Sequence, residues 1–338
     1  MNDIKDRLNP SLSIVVPAHN EEGNLEKLFN ELEHALLSVG SDWEIIIVDD
    51  GSTDATWAKV GSLHDRDCRV RGLRLSRNFG HQNALLAGLF TANGDAIASM
   101  DADLQHPPSV LPQLLEQWRR GKMIVKTERL DSPSTNVFKS WTSRLFYRVF
   151  SYLSGVEIRE GTSDFRLLDR KVLDKVLEFK EEAIFLRGVV EWVGYPTATI
   201  AFQCGDRYAG TTKYTLRKML RFAWHGISSF SLVPLRLGTL LGVISSAIAF
   251  LAVGYAIVSK MVVGHAVPGW ASSVAIISFL FAVLFIYLAV FAEYLGRVLQ
   301  EVRGRPRFIV SEEIGDSPDS LAVSPKGTID HRSQTSEC

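Results

Sequence analysis

Glu44-Ile45-Ile46-Ile47-Val48-Asp49-Asp50-Gly51-Ser52 decides how the chain is built: four β-branched apolar residues in a row, closed by two acids, a glycine and a serine. A short apolar run with no polar alternation reads as a strand buried on both faces, the habit of parallel sheets. Leu12-Ser13-Ile14-Val15-Val16-Pro17 is a second such run, ended by proline. Between them, from Asn20 to Val39, Leu25, Leu28, Phe29, Leu32, Leu36 and Leu37 recur at helical spacing, so the segment predicts a βαβ unit. The pattern repeats with Arg71 to Leu75 as a strand, Gln82 to Thr91 as a helix, and Ala96 to Met100 as a fourth strand ending at Asp101. Such a chain folds as an α/β sheet of the nucleotide-binding kind, with polar loops at the carboxyl ends of its strands. After Pro107-Pro108 a helix (Val110 to Arg120) and a strand (Met123 to Lys126) are expected, then a less regular stretch through Ser134.

The 338 residues suit one larger domain plus something smaller. Lys+Arg 37 against Asp+Glu 38 leaves a formal net charge of -1, which argues against a nucleic-acid partner held by a global positive field. Cys68, Cys204 and Cys338 are odd in number and far apart, so neither a disulfide framework nor a zinc site is indicated. Met1 to Pro10 carries charges and no apolar run, so no secretory signal peptide is expected.

Two stretches without a charge come late, Leu237 to Val258 and Trp270 to Ala292. Each is long enough to cross about 30 Å of hydrocarbon as a helix, and together they predict a transmembrane hairpin. Arg217, Lys218, Arg221 and Arg236 precede the first; Arg297, Arg303, Arg305 and Arg307 follow the second; the connecting loop holds Lys260 and His265. By the positive-inside rule both ends lie in the cytoplasm. Residues 136–153 and 214–231 mix Lys or Arg with Trp, Phe and Tyr, the signature of helices lying in a membrane interface. Residues 311–338 are polar, contain Pro318 and Pro325, and show no periodicity, so a disordered tail is expected from about 311.

Met100-Asp101-Ala102-Asp103-Leu104-Gln105 sits where a buried strand emerges. Two carboxylates one residue apart on extended backbone point the same way and can face one hard divalent cation. Such a cation would neutralise a nucleotide diphosphate and hold the departing charge. His106 is a candidate further ligand, although a loop histidine beside such a motif is more often a bystander. Asp49-Asp50-Gly51-Ser52-Thr53-Asp54 has two readings that can coexist: a turn with a helix cap, and an acid that accepts from a base N–H or a ribose hydroxyl.

Val16-Pro17-Ala18-His19-Asn20-Glu21-Glu22, Val48-Asp49-Asp50-Gly51-Ser52, Arg77-Asn78-Phe79-Gly80, Asp101-Ala102-Asp103-Leu104-Gln105, Asp164-Phe165-Arg166 and Arg207-Tyr208-Ala209-Gly210-Thr211-Thr212-Lys213-Tyr214 follow in order. Over residues 10 to 310 the chain resembles family 2 glycosyltransferases of the GT-A fold, and among them the polyprenyl-phosphate branch. The resemblance implies that Pro17, Asn20, Glu21, Asp49 and Asp50 line a base and ribose pocket. It implies that Asp101, Asp103 and Gln105 hold Mg²⁺ or Mn²⁺ against the diphosphate, and that Arg207 and Lys213 close over it. The lipid phosphate would meet Arg129, Lys139 and Ser143. Lys139 stands where many relatives carry Arg, which implies a monodentate rather than forked contact. Asp164 would contact sugar hydroxyls or orient Arg166 through an ion pair.

These readings divide the chain into a cytoplasmic catalytic domain (1–213, including interfacial helix 136–153), a juxtamembrane interfacial helix (214–236), two spans (237–258 and 270–292) and a cytoplasmic segment (293–338). The expected location is a bacterial inner membrane. The expected activity is transfer of a sugar, glucose from UDP-glucose first among the donors, to undecaprenyl phosphate by an inverting displacement. GDP-mannose, UDP-GlcNAc and a UDP-aminoarabinose derivative are the alternatives. Membrane lipids are expected partners, a homo-oligomer is compatible with the resemblance, and a separate flippase would carry the lipid-linked sugar onward. One rival is an inactive, membrane-tethered nucleotide-sugar-binding protein, against which stand the intact acids. The other is a processive polysaccharide synthase, whose QxxRW segment neither Gln117-Trp118 nor Glu191-Trp192 supplies.

Overall fold

A computed structural model describes residues 10–37, 39, 42–130, 162–179, 181, 186–203, 233–263 and 269–315. The first half alternates strand and helix: β1 (Leu12–Ala18), α1 (Glu22–Leu37), β2 (Trp43–Asp49), α2 (Thr56–Arg66), β3 (Val70–Leu75), α3 (His81–Thr91) and β4 (Ala96–Ser99). A 3-10 turn at Pro108–Val110 leads into α4 (Leu111–Arg119), β5 (Ile124–Leu130), β6 (Thr162–Asp169), α5 (Arg170–Leu177), α6 (Leu186–Trp192) and β7 (Thr197–Gln203). Two long helices, α7 (Val233–Val263) and α8 (Trp270–Arg303), precede β8 (Val310–Ile314).

The eight strands among the described residues join one sheet in the order β7-β5-β6-β4-β1-β2-β3-β8. β4, β1, β2 and β3 run parallel, in keeping with the apolar runs at the centres of β1 and β2. β6 is antiparallel to β4, β5 is antiparallel to β6, β7 is parallel to β5, and β8 is antiparallel to β3. Side chains alternate across the sheet into two cores. Ile14, Val16, Ile45 and Ile47 pack with Leu25, Leu28 and Leu32 of α1 and Leu114 of α4. Val15, Ile46 and Val48 pack on the other face with Leu85 and Leu86 of α3, Val172 of α5 and Val189 of α6.

From β1 the chain crosses to β2 on one side, and from β3 it returns to β4 on the other. Ligands of open α/β sheets sit in the crevice that such a reversal opens at the carboxyl ends of the strands. Pro17 helps to open it. The β1–β4 ladder reaches Met100, whose N–H donates to the Val15 carbonyl at 3.1 Å, and Pro17 has no N–H with which to continue it.

The tail expected to be disordered from about 311 is instead ordered over its first residues as β8. Without it β3 would present an open edge, and the ladder from Gly72–Ile314 to Leu75–Val310, with the Ser76 N–H to Ile309 carbonyl bond at 2.9 Å, satisfies that edge. An edge strand whose middle residues face solvent carries no apolar pattern, which is why its sequence reads as tail. The apolar runs at 237–258 and 270–292 lie within α7 and α8, which pack along each other. Among the described residues, Phe279–Arg303 is long and apolar enough to cross a membrane, and Leu237–Ile248 is a shorter apolar stretch. The expected interfacial helices at 136–153 and 214–231 lie outside the described residues.

Candidate active site

The loops after β1 and β2 are laced together by side chain to backbone bonds. Asn20 adopts φ 56°, a left-handed conformation that asparagine tolerates better than most residues. Its N–H donates to Ser52 Oγ at 2.9 Å, and its Oδ1 accepts from the Thr53 N–H at 2.9 Å. Asp54 Oδ1 accepts the Thr56 N–H at 3.0 Å in the turn that enters α2, whose N-cap position is Ala55, so Asp54 shapes the turn and does not cap the helix.

The two acids that end β2 face different tasks. Asp50 Oδ1 accepts from the Phe79 N–H at 2.7 Å and Oδ2 from the Gly80 N–H at 2.9 Å. Burial pushes its carboxyl up, and those two backbone donors work against the shift. Both of its oxygens are therefore engaged in clasping the 76–80 loop. Gly51 makes that closeness attainable: it sits at φ +62°, and a Cβ there would lie 2.5 Å from the Arg77 carbonyl carbon. Asp49 is fully buried, and its Oδ1 accepts the Ser52 N–H at 2.9 Å. Its Oδ2 makes no hydrogen bond, with Arg74 Nε standing 3.5 Å away.

At the end of β4 the chain turns sharply through Leu104 at φ 61°. Gln105 N–H donates to Asp103 Oδ1 at 3.1 Å, and Asp101 N–H donates to His106 Nδ1 at 3.1 Å. His106 is buried, stacked on Phe165 with ring centres 5.3 Å apart and edge-on to Phe202 at 5.9 Å. Burial lowers its pKa, so the ring stays neutral and its Nδ1 acts as acceptor. It shapes the acid loop from beneath. Burial raises the Asp101 carboxyl; His106 and His81 draw it back, and Asp164 and Asp103 push it further up. Glu21 is also raised by burial, with Asn24 opposing and Asp103, Asp54 and Asp101 adding repulsion.

Asp101, Asp103 and Glu21 bring three carboxyl groups to the loops that follow β1 and β4, and Asp101 Oδ1 lacks a hydrogen-bond partner. Hard carboxylate oxygens of this kind suit a divalent cation of the Mg²⁺ or Mn²⁺ type. Among the described residues no three acids or histidines form a ready-made cage.

Beside this loop lies a charged cluster. Asp164 on β6 is buried and receives Arg187 Nε and an Arg187 terminal nitrogen, each at 2.8 Å, together with Arg166 at 2.5 Å and Gln82 Nε2 at 3.2 Å. Burial alone would raise its pKa, but Arg187, His81 and Arg166 hold it well below the usual carboxylate range. His81 Nε2 bridges toward the acid loop, 3.6 Å from Asp164 Oδ2 and 3.4 Å from Asp101 Oδ1.

Residues 13–177 match the family description Glycosyl transferase family 2. An uncharacterized glycosyltransferase of Synechocystis sp. is 40% identical over 301 residues, 89% of this chain and 95% of that protein. The bactoprenol glucosyl transferase of Shigella phage SfII is 35% identical over 307 residues, 91% of this chain and 99% of that protein. The chain belongs to glycosyl transferase family 2. The glycosyltransferase also has a partial likeness to the crystal structure of glucosyl-3-phosphoglycerate synthase from Mycobacterium tuberculosis: 18% identity, TM-score 0.46, 67% of this chain and 80% of that one.

In this glycosyltransferase the residues Pro17, Asn20, Glu21, Asp49, Asp50, Asp101, Asp103 and Gln105 all lie at the carboxyl ends of β1, β2 and β4. Arg129 lies apart, exposed on β5. Lys139, Ser143, Arg207 and Lys213 fall outside the described residues. Asp164 stands in an ion-pair network with Arg187 and Arg166. Sequence reading missed His81, Gln82 and Arg187. The first two directly follow the Arg77 to Gly80 motif and could have been found by extending it; Arg187 stands in no motif and is brought in only by the packing of α6.

Proposed function

We propose that this glycosyltransferase moves a sugar, glucose from UDP-glucose first among the donors, onto polyprenyl phosphate at the cytoplasmic face of a bacterial inner membrane. The observation that carries the reading is the group of carboxylates at the sheet's switch point, with Asp101 Oδ1 left without a hydrogen bond, where a nucleotide diphosphate and its cation belong. The acceptor class is supported by the phage relative, whose name states bactoprenol glucosyl transfer and whose likeness spans the apolar helices as well as the sheet. The membrane is supported by α7 and α8, which expose Phe250, Leu251, Tyr255, Phe285 and Ile286 on their outer faces. Helices of 31 and 34 residues reach about 45 to 50 Å at 1.5 Å per residue, enough for both to cross.

Asp101 and Asp103, with Gln105 beside them, would hold Mg²⁺ or Mn²⁺, whose charge neutralises the leaving diphosphate. Asp49 Oδ2, buried and without a hydrogen bond, would be the oxygen that accepts from a base N–H or ribose hydroxyl when the nucleotide enters, and Asn20 and Asp50 hold the loops beside it. Arg207 and Lys213 would close over the diphosphate. A phosphate monoester is already largely dianionic at neutral pH, its second pKa being about 6, so the acceptor needs positioning more than a general base. Arg129, Lys139 and Ser143 would hold it in line with the anomeric carbon, giving inversion.

The acceptor assignment is tested with a short, water-soluble prenyl phosphate in detergent, where membrane recruitment plays no part. Lys139→Ala should weaken apparent acceptor affinity about tenfold to a hundredfold, the worth of a charge-assisted phosphate contact, and leave nucleotide affinity unchanged. Arg144→Ala should do neither. Equal behaviour of the two variants would remove Lys139 from the acceptor site.

A further inference from the structure

We infer that Glu312, on the strand that follows the apolar helices, is a positioning residue for the nucleotide pocket: it holds the Arg74 guanidinium off Asp49 Oδ2. The inference rests on the reading of Asp49 as a donor-binding acid.

The chain of contacts is continuous. Glu312 Oε1 accepts from an Arg74 terminal nitrogen at 2.7 Å, and its Oε2 accepts from Trp57 Nε1 at 2.9 Å. Trp57 packs closely over Gly72 on β3, where a Cβ would lie 2.7 Å from Val60 Cγ1 and 3.0 Å from the indole. With one oxygen on that indole, the other is set against Arg74 on β3, which pairs in register directly with Glu312 on β8. Arg74 extends its Nε toward Asp49 but stops at 3.5 Å, too far for a hydrogen bond. Asp49's other oxygen is committed to Ser52, so Oδ2 is the only one it can offer a ligand.

Arg74 is therefore shared between an exposed acid and a buried one. Without Glu312 the guanidinium keeps Asp49 as its carboxylate partner and would close the remaining gap. Asp49 Oδ2 would then be occupied, and a nucleoside would have to displace the guanidinium in order to bind. Because Glu312 lies nine residues beyond the end of α8, the segment that follows the apolar helices acts on donor affinity through Arg74.

Glu312 is 52% exposed, so its pair with Arg74 contributes little to stability, and the effect is read in binding. Full-length protein in detergent is titrated with UDP and with GDP in Mn²⁺ by calorimetry, and the tighter nucleotide is used throughout. Glu312→Ala should weaken its binding about two- to fivefold and raise the donor KM by the same factor, with kcat unchanged. Glu312→Gln, which keeps an acceptor for Arg74, should recover part of the loss. In an Arg74→Ala background Glu312→Ala should have no further effect, since there is no guanidinium to hold back. Unchanged binding in Glu312→Ala, or an equal loss with and without Arg74, would overturn the inference. Asp49→Asn tests the underlying reading separately. If it leaves nucleotide binding intact, the pocket assignment is wrong; if it weakens binding while Glu312→Ala does not, only the positioning role is wrong.

Discussion

Asp101→Asn is isosteric and removes one negative charge from a loop where Asp103 and Asp164 repel it and where its Oδ1 has no hydrogen bond to lose. Two carboxylates about 6 Å apart repel by roughly 3 kcal/mol at an effective dielectric of about 20. The Asp101 side chain is 34% exposed, and His106 and His81 offset part of the repulsion, so a net relief of about 0.5 to 1 kcal/mol is expected. In EDTA the variant should therefore melt about 1 to 4 °C above wild type. The folded-state pKa of Asp101 is raised, so the cost of keeping it charged is absent below the ordinary value of 3.8 and grows as pH rises through the raised one. The gain in the variant should accordingly be complete at neutral pH. Transfer should fall by about a hundredfold or more, since the stabilisation of the leaving charge is lost. Saturating Mn²⁺ at about 100 times its dissociation constant should stabilise wild type by about 2.7 kcal/mol and the variant by much less. Differential scanning fluorimetry with and without Mn²⁺, beside a transfer assay, reads all three. A lower melting temperature in EDTA, or an undiminished response to Mn²⁺, would show that Asp101 is a structural acid.

Gly51→Ala should cost about 2 to 4 kcal/mol and weaken nucleotide binding, because a left-handed alanine is strained and its Cβ would force apart the two loops clasped by Asp50; a melting curve like wild type would contradict this. Asp164→Asn should cost about 3 to 5 kcal/mol by leaving buried Arg166 without its counter-charge, read as a fall of about 10 °C or more in melting temperature. The pKa of Asp164 is depressed, so its contribution is present above the ordinary carboxylate value and is lost as pH falls through the folded one; wild type and Asp164→Asn melts should converge on acidification. A reporter fused at residue 338 should lie in the cytoplasm and a tag at His265 on the far side; a reporter at 338 on the far side would mean that one span is wrong.

The parallel half of the sheet was legible because Ile14 to Val16 and Ile45 to Val48 are buried on both faces, and two-sided burial leaves an unbroken apolar run. β6 was not, since its centre carries Asp164 and Arg166, a buried ion pair that breaks the apolar pattern from within. β8 escaped for the opposite reason, being held by backbone pairing with its middle side chains in solvent. In the site, Asp101 and Asp103 were readable as an acid pair closing a buried strand. Asp50 was read as a pocket acid, and the Phe79 and Gly80 donors that claim it come from a loop whose proximity no local pattern encodes. Arg187 reaches Asp164 from 23 residues away, through the packing of α6 alone.

The most direct test of the account is to supply purified protein in detergent with undecaprenyl phosphate and radiolabelled UDP-glucose, GDP-mannose or UDP-GlcNAc in turn, and to follow label into the lipid phase with Mn²⁺, with EDTA, and with EDTA followed by excess Mn²⁺. The account predicts lipid-linked sugar from one of these donors, abolished by the chelator and restored by the metal. Label that never enters the lipid phase from any donor, or that enters it undiminished in EDTA, would contradict it.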